Sequence, residues 1–173
     1  MLNRASAYRT LRTTRLLLRP VGPADAPAVF KIFGDVELMR YWGHPPLAYR
    51  EAADVYIEDI HASARASTLY QWAIAEQETP DRLIGTCTLA GVNLHAREAE
   101  LGIVLARAYQ GAGYATEAAA RVIAYGFEAF TLNRILAECD PRNAASINLL
   151  RRLDFIPAGH TQTGDLTFER ISV

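Results

Sequence analysis

The sequence predicts an α/β protein, with one mixed, mostly antiparallel central sheet and helices on both faces. Three observations carry this. Segments with the two-residue period of strands and the 3.6-residue period of helices follow one another in the order β-α-α-β-β-β-α-β-α-β-β. Half of the 173 residues are hydrophobic, enough to bury a sizeable core in a chain of one-domain length. No internal repeat, low-complexity tract or linker interrupts the chain, so residues 1–173 read as a single domain.

Thr14 to Pro20 (TRLLLRP) reads as the first strand, stopped by its proline, and Pro23 and Asp25 open a short helix ending near Phe33. Ala52, Ala53, Tyr56, Ile57 and Ile60 recur at helical spacing, which predicts a helix over Tyr49 to Ala66. Leu69 to Glu76, the turn QETPDR, and Leu83 to Leu89 form a hairpin, and Glu98 to Ala106 is the next strand. Tyr114 to Phe130 is a helix with Ala118, Val122, Ile123, Phe127 and Phe130 on one face. Arg134 to Asp140 is a strand, and Asn143 caps a helix running to Leu153. Ile156–Thr161 and Leu166–Ser172 are two closing strands.

Composition excludes several classes. A net charge of −1 leaves no electrostatic footprint for nucleic acid. The longest apolar runs fall far short of a membrane span. The basic N-terminal stretch MLNRASAYRTLRTTRLLLRP lacks a continuous apolar region and a cleavage site, so it reads as a lead-in to the first strand rather than a signal peptide. Cys87 and Cys139 lie in apolar strand-like segments, and a reduced, cytoplasmic protein is the simplest reading. His61, His95 and His160 are scattered without metal-ligand spacing, so no metal is expected.

The most informative segment is LGIVLARAYQGAGYATEAAA, Leu101 to Ala120. A strand runs into Gln110-Gly111-Ala112-Gly113-Tyr114-Ala115 and directly onto an Ala-rich helix. Such a junction presents backbone N–H groups at a positive helix terminus, which is an anion cradle suited to phosphate or pyrophosphate. The dinucleotide fingerprint is missing because Thr116 stands where a third glycine belongs, and the Lys-Ser/Thr of a P-loop is absent. The pattern present is Gln110-x-x-Gly113-x-Ala115. A second block follows about thirty residues later, in which a strand leads to Asn143-x-x-Ser146, a helix and Phe155.

Together these two motifs, on a matching element order, resemble the GNAT superfamily of acyl-CoA N-acyltransferases over roughly residues 10 to 173. The lead-in TxRLxLRP further resembles the Rim branch, which acetylates ribosomal-protein N-termini and other amines. Asp154 stands where the family has a glycine before Phe155, which a left-handed Asp accommodates at modest cost.

The resemblance implies an acetyl-CoA-dependent N-acetyltransferase with direct transfer in a ternary complex. Ile103, Val104 and Leu105 would offer backbone groups to the acyl-pantetheine arm. Gln110, Gly111, Ala112, Gly113, Tyr114 and Ala115, with the Thr116 hydroxyl, would hold the pyrophosphate, and Asn143 would cap its helix and touch pantetheine. Ser146 is the candidate acid for the thiolate, against a purely capping role. Glu138 is the leading candidate base, against an ion pair with Arg142 or Arg107. Glu100 is the second candidate, against a solvated strand face. Trp42 and His44 would line the acceptor pocket, whereas Tyr41 reads as core. Cys139 has no histidine beside it in sequence, which argues against an acyl-enzyme. The acceptor implied is a protein N-terminal amine of the ribosomal type or a small amine, and a homodimer through the final strands stays open. The competing class is a non-catalytic acyl-CoA-binding or sensing module on the same fold.

Overall fold

The computed structural model describes residues 8–172, so the first seven residues of the N-terminal lead-in lie outside the described residues. In chain order the strands are β1 (Leu11–Arg12), β2 (Leu16–Pro20), β3 (Tyr70–Glu76), β4 (Gly85–Asn93), β5 (Glu98–Leu105), β6 (Arg134–Cys139), β7 (Ile156–His160) and β8 (Leu166–Ile171). The helices are α1 (Ala26–Phe33), α2 (Ala52–Arg65), α3 (Tyr114–Ala129) and α4 (Ala144–Arg152). All eight strands form one sheet in the order β1-β2-β3-β4-β5-β6-β8-β7. Each neighbouring pair is antiparallel except β5 with β6.

Strand alternation sorts the core into two layers. Trp72, Ile74, Cys87, Leu89, Leu101, Leu105, Ile135 and Ala137 face α3 and α4. Their alternates Ala73 and Val104 face α1 and α2, where they meet Val29, Phe33, Ala53 and Ile57. β3 is therefore covered on both sides, which explains why YQWAIA reads as an almost unbroken apolar run. On α3 the buried residues are Ala118, Ala119, Val122, Ile123, Tyr125 and Gly126. Tyr125, not the half-buried Phe127, packs into the core from this helix, edge-on to Trp72 at 6.0 Å between ring centroids.

Three element boundaries differ from the sequence expectation. The strand expected over Thr14 to Pro20 begins at Leu16, as β2, and a further two-residue strand, β1, precedes it. Thr13 takes the Leu16 N–H on its hydroxyl and donates its own N–H to the Leu16 carbonyl, closing a turn that separates β1 from β2. β4 starts at Gly85 and runs past Leu89 to Asn93, through an irregularity at Ala90–Asn93 where Gly91 sits at φ +56°. Asn93 then accepts the N–H groups of His95 and Ala96, making the tight turn that returns the chain as β5. α2 begins at Ala52 rather than Tyr49, since residues 49–51 form only turns.

Candidate functional site

The parallel contact between β5 and β6 is short. It pairs Glu98 with Arg134, Ala99 with Ile135 and Glu100 with Leu136, and stops there. Beyond it β5 stays paired with β4 through Leu105, and β6 stays paired with β8 through Cys139. The two strands thus part in the middle of the sheet, with Leu101 to Leu105 on one wall and Ala137 to Cys139 on the other. Such an opening exposes strand edges to a ligand within the sheet. Ile103, Val104 and Leu105 lie on its wall as expected, but the Leu105 carbonyl already accepts the Gln110 side-chain amide at 3.0 Å.

At the C-terminal end of β5 the chain makes a short 3₁₀ turn, Arg107–Tyr109, and enters the glycine loop. Gly111 and Gly113 both sit at φ +81°, a left-handed conformation that only glycine adopts without strain. Gly113 is the residue immediately before α3. Glu117 is the first residue of the helix whose N–H is taken, by the Gly113 carbonyl, and among the described residues no protein acceptor meets an N–H from Gly111 to Thr116. Consecutive free donors stand at the positive end of a 16-residue helix, which is the donor arrangement that the anion-cradle expectation calls for. Gln110 has a different part from the one assigned to it. Its backbone N–H donates to Arg107 and its side chain to Leu105, so it shapes the loop rather than offering donors to a ligand. The Tyr114 hydroxyl is likewise turned away, onto Glu76 at 2.6 Å.

The candidate acid and bases fall on opposite faces of the opening. Asn143 caps α4 by accepting the Ser146 N–H at 3.1 Å, as expected. The Ser146 hydroxyl lies against the Cys139 thiol at the end of β6, on the α3–α4 face. Burial pushes that thiol up, and the hydrogen bond from Ser146 offsets only part of the rise. Cys139 therefore stays a neutral thiol, in keeping with direct transfer. Glu138 alternates with Cys139 and so points to the other face, where Glu100 stands on the neighbouring strand. The Glu100 carboxyl is raised by burial and then by the negative charge of Glu138. The ion pairs weighed as alternatives for Glu138 do not form: Arg142 binds Asp140 at 2.5 Å and Arg107 binds Asp35 at 2.6 Å. Among the described residues neither Glu100 nor Glu138 has an ion-pair partner.

The loop after α1 closes over this second face. The Trp42 indole packs edge-on to Phe33, and its outer carbon lies 3.8 Å from where a Cβ on Gly102 would be. Gly102 is two residues along the strand from Glu100 and on the same side. Trp42 thus covers the face of β5 that carries Glu100. His44 is exposed beside Trp42, at 5.9 Å between rings, and lines a shallow pocket with Trp42, Arg40 and Pro46. Tyr41 is not core. It is half-buried, with the guanidinium groups of Arg40 at 5.2 Å and Arg142 at 5.8 Å from its ring centroid, a cation–π arrangement joining the loop to the turn after β6.

Sequence reasoning missed two further features. One is an open cleft of about 940 Å³ between α1, the β3–β4 turn and the Arg107–Tyr109 turn, at the far end of β5 from Glu100. The other is the pair Arg15 and Glu117, 102 residues apart, which meets beside the glycine loop. Nothing in local spacing predicts a contact of that separation. Among the described residues no group of three or more His, Cys, Asp or Glu side chains is placed to hold a metal ion, and no helix is long and apolar enough to cross a membrane.

Comparisons with known proteins agree with this geometry. The profile of the acetyltransferase (GNAT) domain matches residues 15–156. The chain is 35% identical over 150 residues to the uncharacterized N-acetyltransferase p20 of Bacillus licheniformis, covering 87% of this chain and 84% of that protein. It is 30% identical over 143 residues to the spermidine N(1)-acetyltransferase of Escherichia coli K12, covering 82% and 73% respectively. The fold superposes with a TM-score of 0.85 on RimL, the ribosomal L7/L12 alpha-N-protein acetyltransferase solved in complex with coenzyme A, at 18% identity and covering 94% of this chain and 98% of that one. A sheet parted between β5 and β6, a donor-rich glycine loop at α3 and these matches lead to one conclusion: the chain belongs to the GNAT family of N-acetyltransferases.

Proposed function

We propose that this enzyme moves an acetyl group from acetyl-CoA to a small cationic primary amine of the polyamine type. The observation that carries the proposal is the distribution of groups around the parted strands. The cradle and Ser146 lie along the cofactor side, and Glu100 and Glu138 lie on the opposite face under Trp42. Pyrophosphate binds the free N–H groups of Gly111 to Thr116, and the pantetheine arm runs between β5 and β6, bringing the thioester to the opening.

The chemistry then divides by face. The neutral amine nitrogen attacks the thioester carbonyl carbon, forming the C–N bond and an oxyanion stabilised by strand N–H groups. Collapse breaks the C–S bond, and the thiolate takes the Ser146 proton, which solvent replaces. The nitrogen's surplus proton passes to Glu100 or, through water, to Glu138. A polyamine nitrogen has a basicity near that of lysine, with a pKa of about 10.4, so at neutral pH it must lose a proton before attack. A carboxylate whose proton affinity is raised, as that of Glu100 is, accepts that proton more readily than an ordinary one.

Charge on the acceptor face orders the acceptors. Glu100 and Glu138 are uncompensated among the described residues, while the nearby Arg142 and Arg40 are paired with Asp140 and Glu37. Their field attracts an amine carrying additional positive charge. The similarity to a spermidine acetyltransferase supports the same class. A protein N-terminal amine is the second reading, favoured by the open pocket at His44 and by the likeness to RimL. The test compares kcat/KM for spermidine, a neutral-tailed monoamine and peptides of varied N-terminus, in the wild type and in Glu138→Gln. Spermidine should lead in the wild type, and the variant should narrow its advantage. A peptide preferred in both proteins would establish the second reading instead.

A further inference from the structure

Arg15, in the turn between β1 and β2, is the cation that the glycine loop holds. Its Nε donates to Glu117 Oε2 at 2.7 Å and its Nη1 to the Ala112 carbonyl at 3.0 Å. Its guanidinium lies 4.5 Å over the Tyr114 ring, and its Nη2 is 3.5 Å from the place a Cβ on Gly113 would occupy. The other oxygen of Glu117 accepts from the Thr13 hydroxyl at 2.6 Å and the Arg15 N–H at 2.9 Å. Glu117 is partly buried, which by itself would raise its carboxyl, yet the bonds from Thr13 and Arg15 hold it below the usual carboxylate range.

Glu117 is therefore an anion in the first turn of α3. That position favours the helix dipole but opposes a second anion bound at the same terminus. An unneutralised carboxylate one turn from the cradle would repel pyrophosphate. We propose that Arg15 is a positioning residue of the acetyl-CoA site: it cancels Glu117, fixes the Ala112 carbonyl so that the loop N–H groups face outward, and thereby selects ligands that carry the pyrophosphate. The proposal rests on the reading that this loop binds the CoA phosphates. It adds a residue and a charge balance that the glycine motif does not contain.

Binding of coenzyme A by calorimetry and of pantetheine, which lacks the pyrophosphate, by ligand-observed NMR tests this without an acceptor. Wild-type protein should prefer CoA strongly. Arg15→Met should weaken CoA about tenfold or more, the scale of a lost charge-assisted interaction, and leave pantetheine unchanged. Adding Glu117→Gln to Arg15→Met should recover part of the loss, because the repelling charge goes too. Arg15→Lys, which keeps the charge without the fork, should fall between wild type and Arg15→Met. Equal weakening of both ligands, unchanged CoA binding, or no recovery in the double variant would overturn the proposal. A wild-type protein indifferent to the pyrophosphate would overturn the loop reading itself, which separates the two failures.

Discussion

Gly111→Ala isolates the conformational part of cofactor binding. Gly111 sits at φ +81°, and a Cβ added there meets nothing within 4 Å, so the substitution introduces no clash. What it introduces is the cost of holding an L-residue left-handed, roughly 1–2 kcal/mol. The loop is exposed, and no protein acceptor meets its N–H groups among the described residues, so it relaxes toward negative φ rather than unfolding the protein. Binding must then restore the strained shape, and the cost appears in the ligand's affinity. A penalty of that size raises the Kd for CoA about 5- to 30-fold, at 1.4 kcal/mol per factor of ten. The unfolding midpoint should move by no more than about 2 °C, since 1 kcal/mol corresponds to roughly 2–4 °C at this chain length. Gly164→Ala is the matched control. Gly164 has φ +96° and equally open surroundings, in the turn between β7 and β8, away from the glycine loop. Calorimetry should show wild-type CoA affinity in Gly164→Ala and the loss only in Gly111→Ala. Equal affinities in the two variants would refute the claim that the left-handed loop is the phosphate cradle.

Four further outcomes follow from named contacts. If Glu100 takes the proton, the acid limb of kcat/KM lies above the ordinary glutamate value of about 4.3 and moves to lower pH in Glu138→Gln, because one of the two causes raising Glu100 is removed; an unmoved limb assigns the limb to another group. The same raised carboxyl binds its proton more tightly in the folded chain, so its contribution to stability is present at acid pH and lost as pH rises through the raised value. Glu138→Gln should accordingly be slightly more resistant to urea than wild type at pH 8, but not at pH 4. Ser146→Ala keeps the backbone N–H that Asn143 caps and removes only the hydroxyl against Cys139; it should lower kcat by tenfold or more with acetyl-CoA affinity unchanged, whereas an unchanged kcat would show that the hydroxyl serves only its contact with the Cys139 thiol. Asp25→Asn should cost about 3–5 kcal/mol in urea unfolding, since Asp25 is 3% exposed, takes both arms of Arg19 at 2.7 Å and accepts the Gly22 N–H; a loss below about 1 kcal/mol would show the pair to be dispensable.

The parts of the fold legible in the sequence are those whose cause is local. β3 announces itself because both of its faces are covered, α4 because Asn143 is placed to cap it, and the cradle because two left-handed positions need Gly111 and Gly113. Asp154 adopts φ +59°, as its substitution for the usual glycine requires. The features that escaped sequence reasoning depend on partners far along the chain. β1 is two residues long, too short for any period to register. The end of pairing after Glu100 and Leu136 is a property of two strands at once, so the opening that places Ser146 and Glu138 on opposite faces has no signature in either strand alone. Arg15 and Glu117 lie 102 residues apart in the chain, and only the fold sets them at 2.7 Å. Tyr41 reads as apolar in a linear scan, yet two arginine guanidinium groups lie over its ring.

The central claim is that the parted strands and the glycine loop serve acetyl transfer to an amine. Incubating the full chain with acetyl-CoA and a panel of primary amines, with spermidine included, and weighing the products by mass spectrometry tests it most directly. The account predicts an amine heavier by one acetyl group, formed in step with free CoA and abolished when the amine is omitted. Tight acetyl-CoA binding without acetylation of any amine or peptide offered would contradict it, and would identify the chain as a member of the fold that senses acyl-CoA without transferring it.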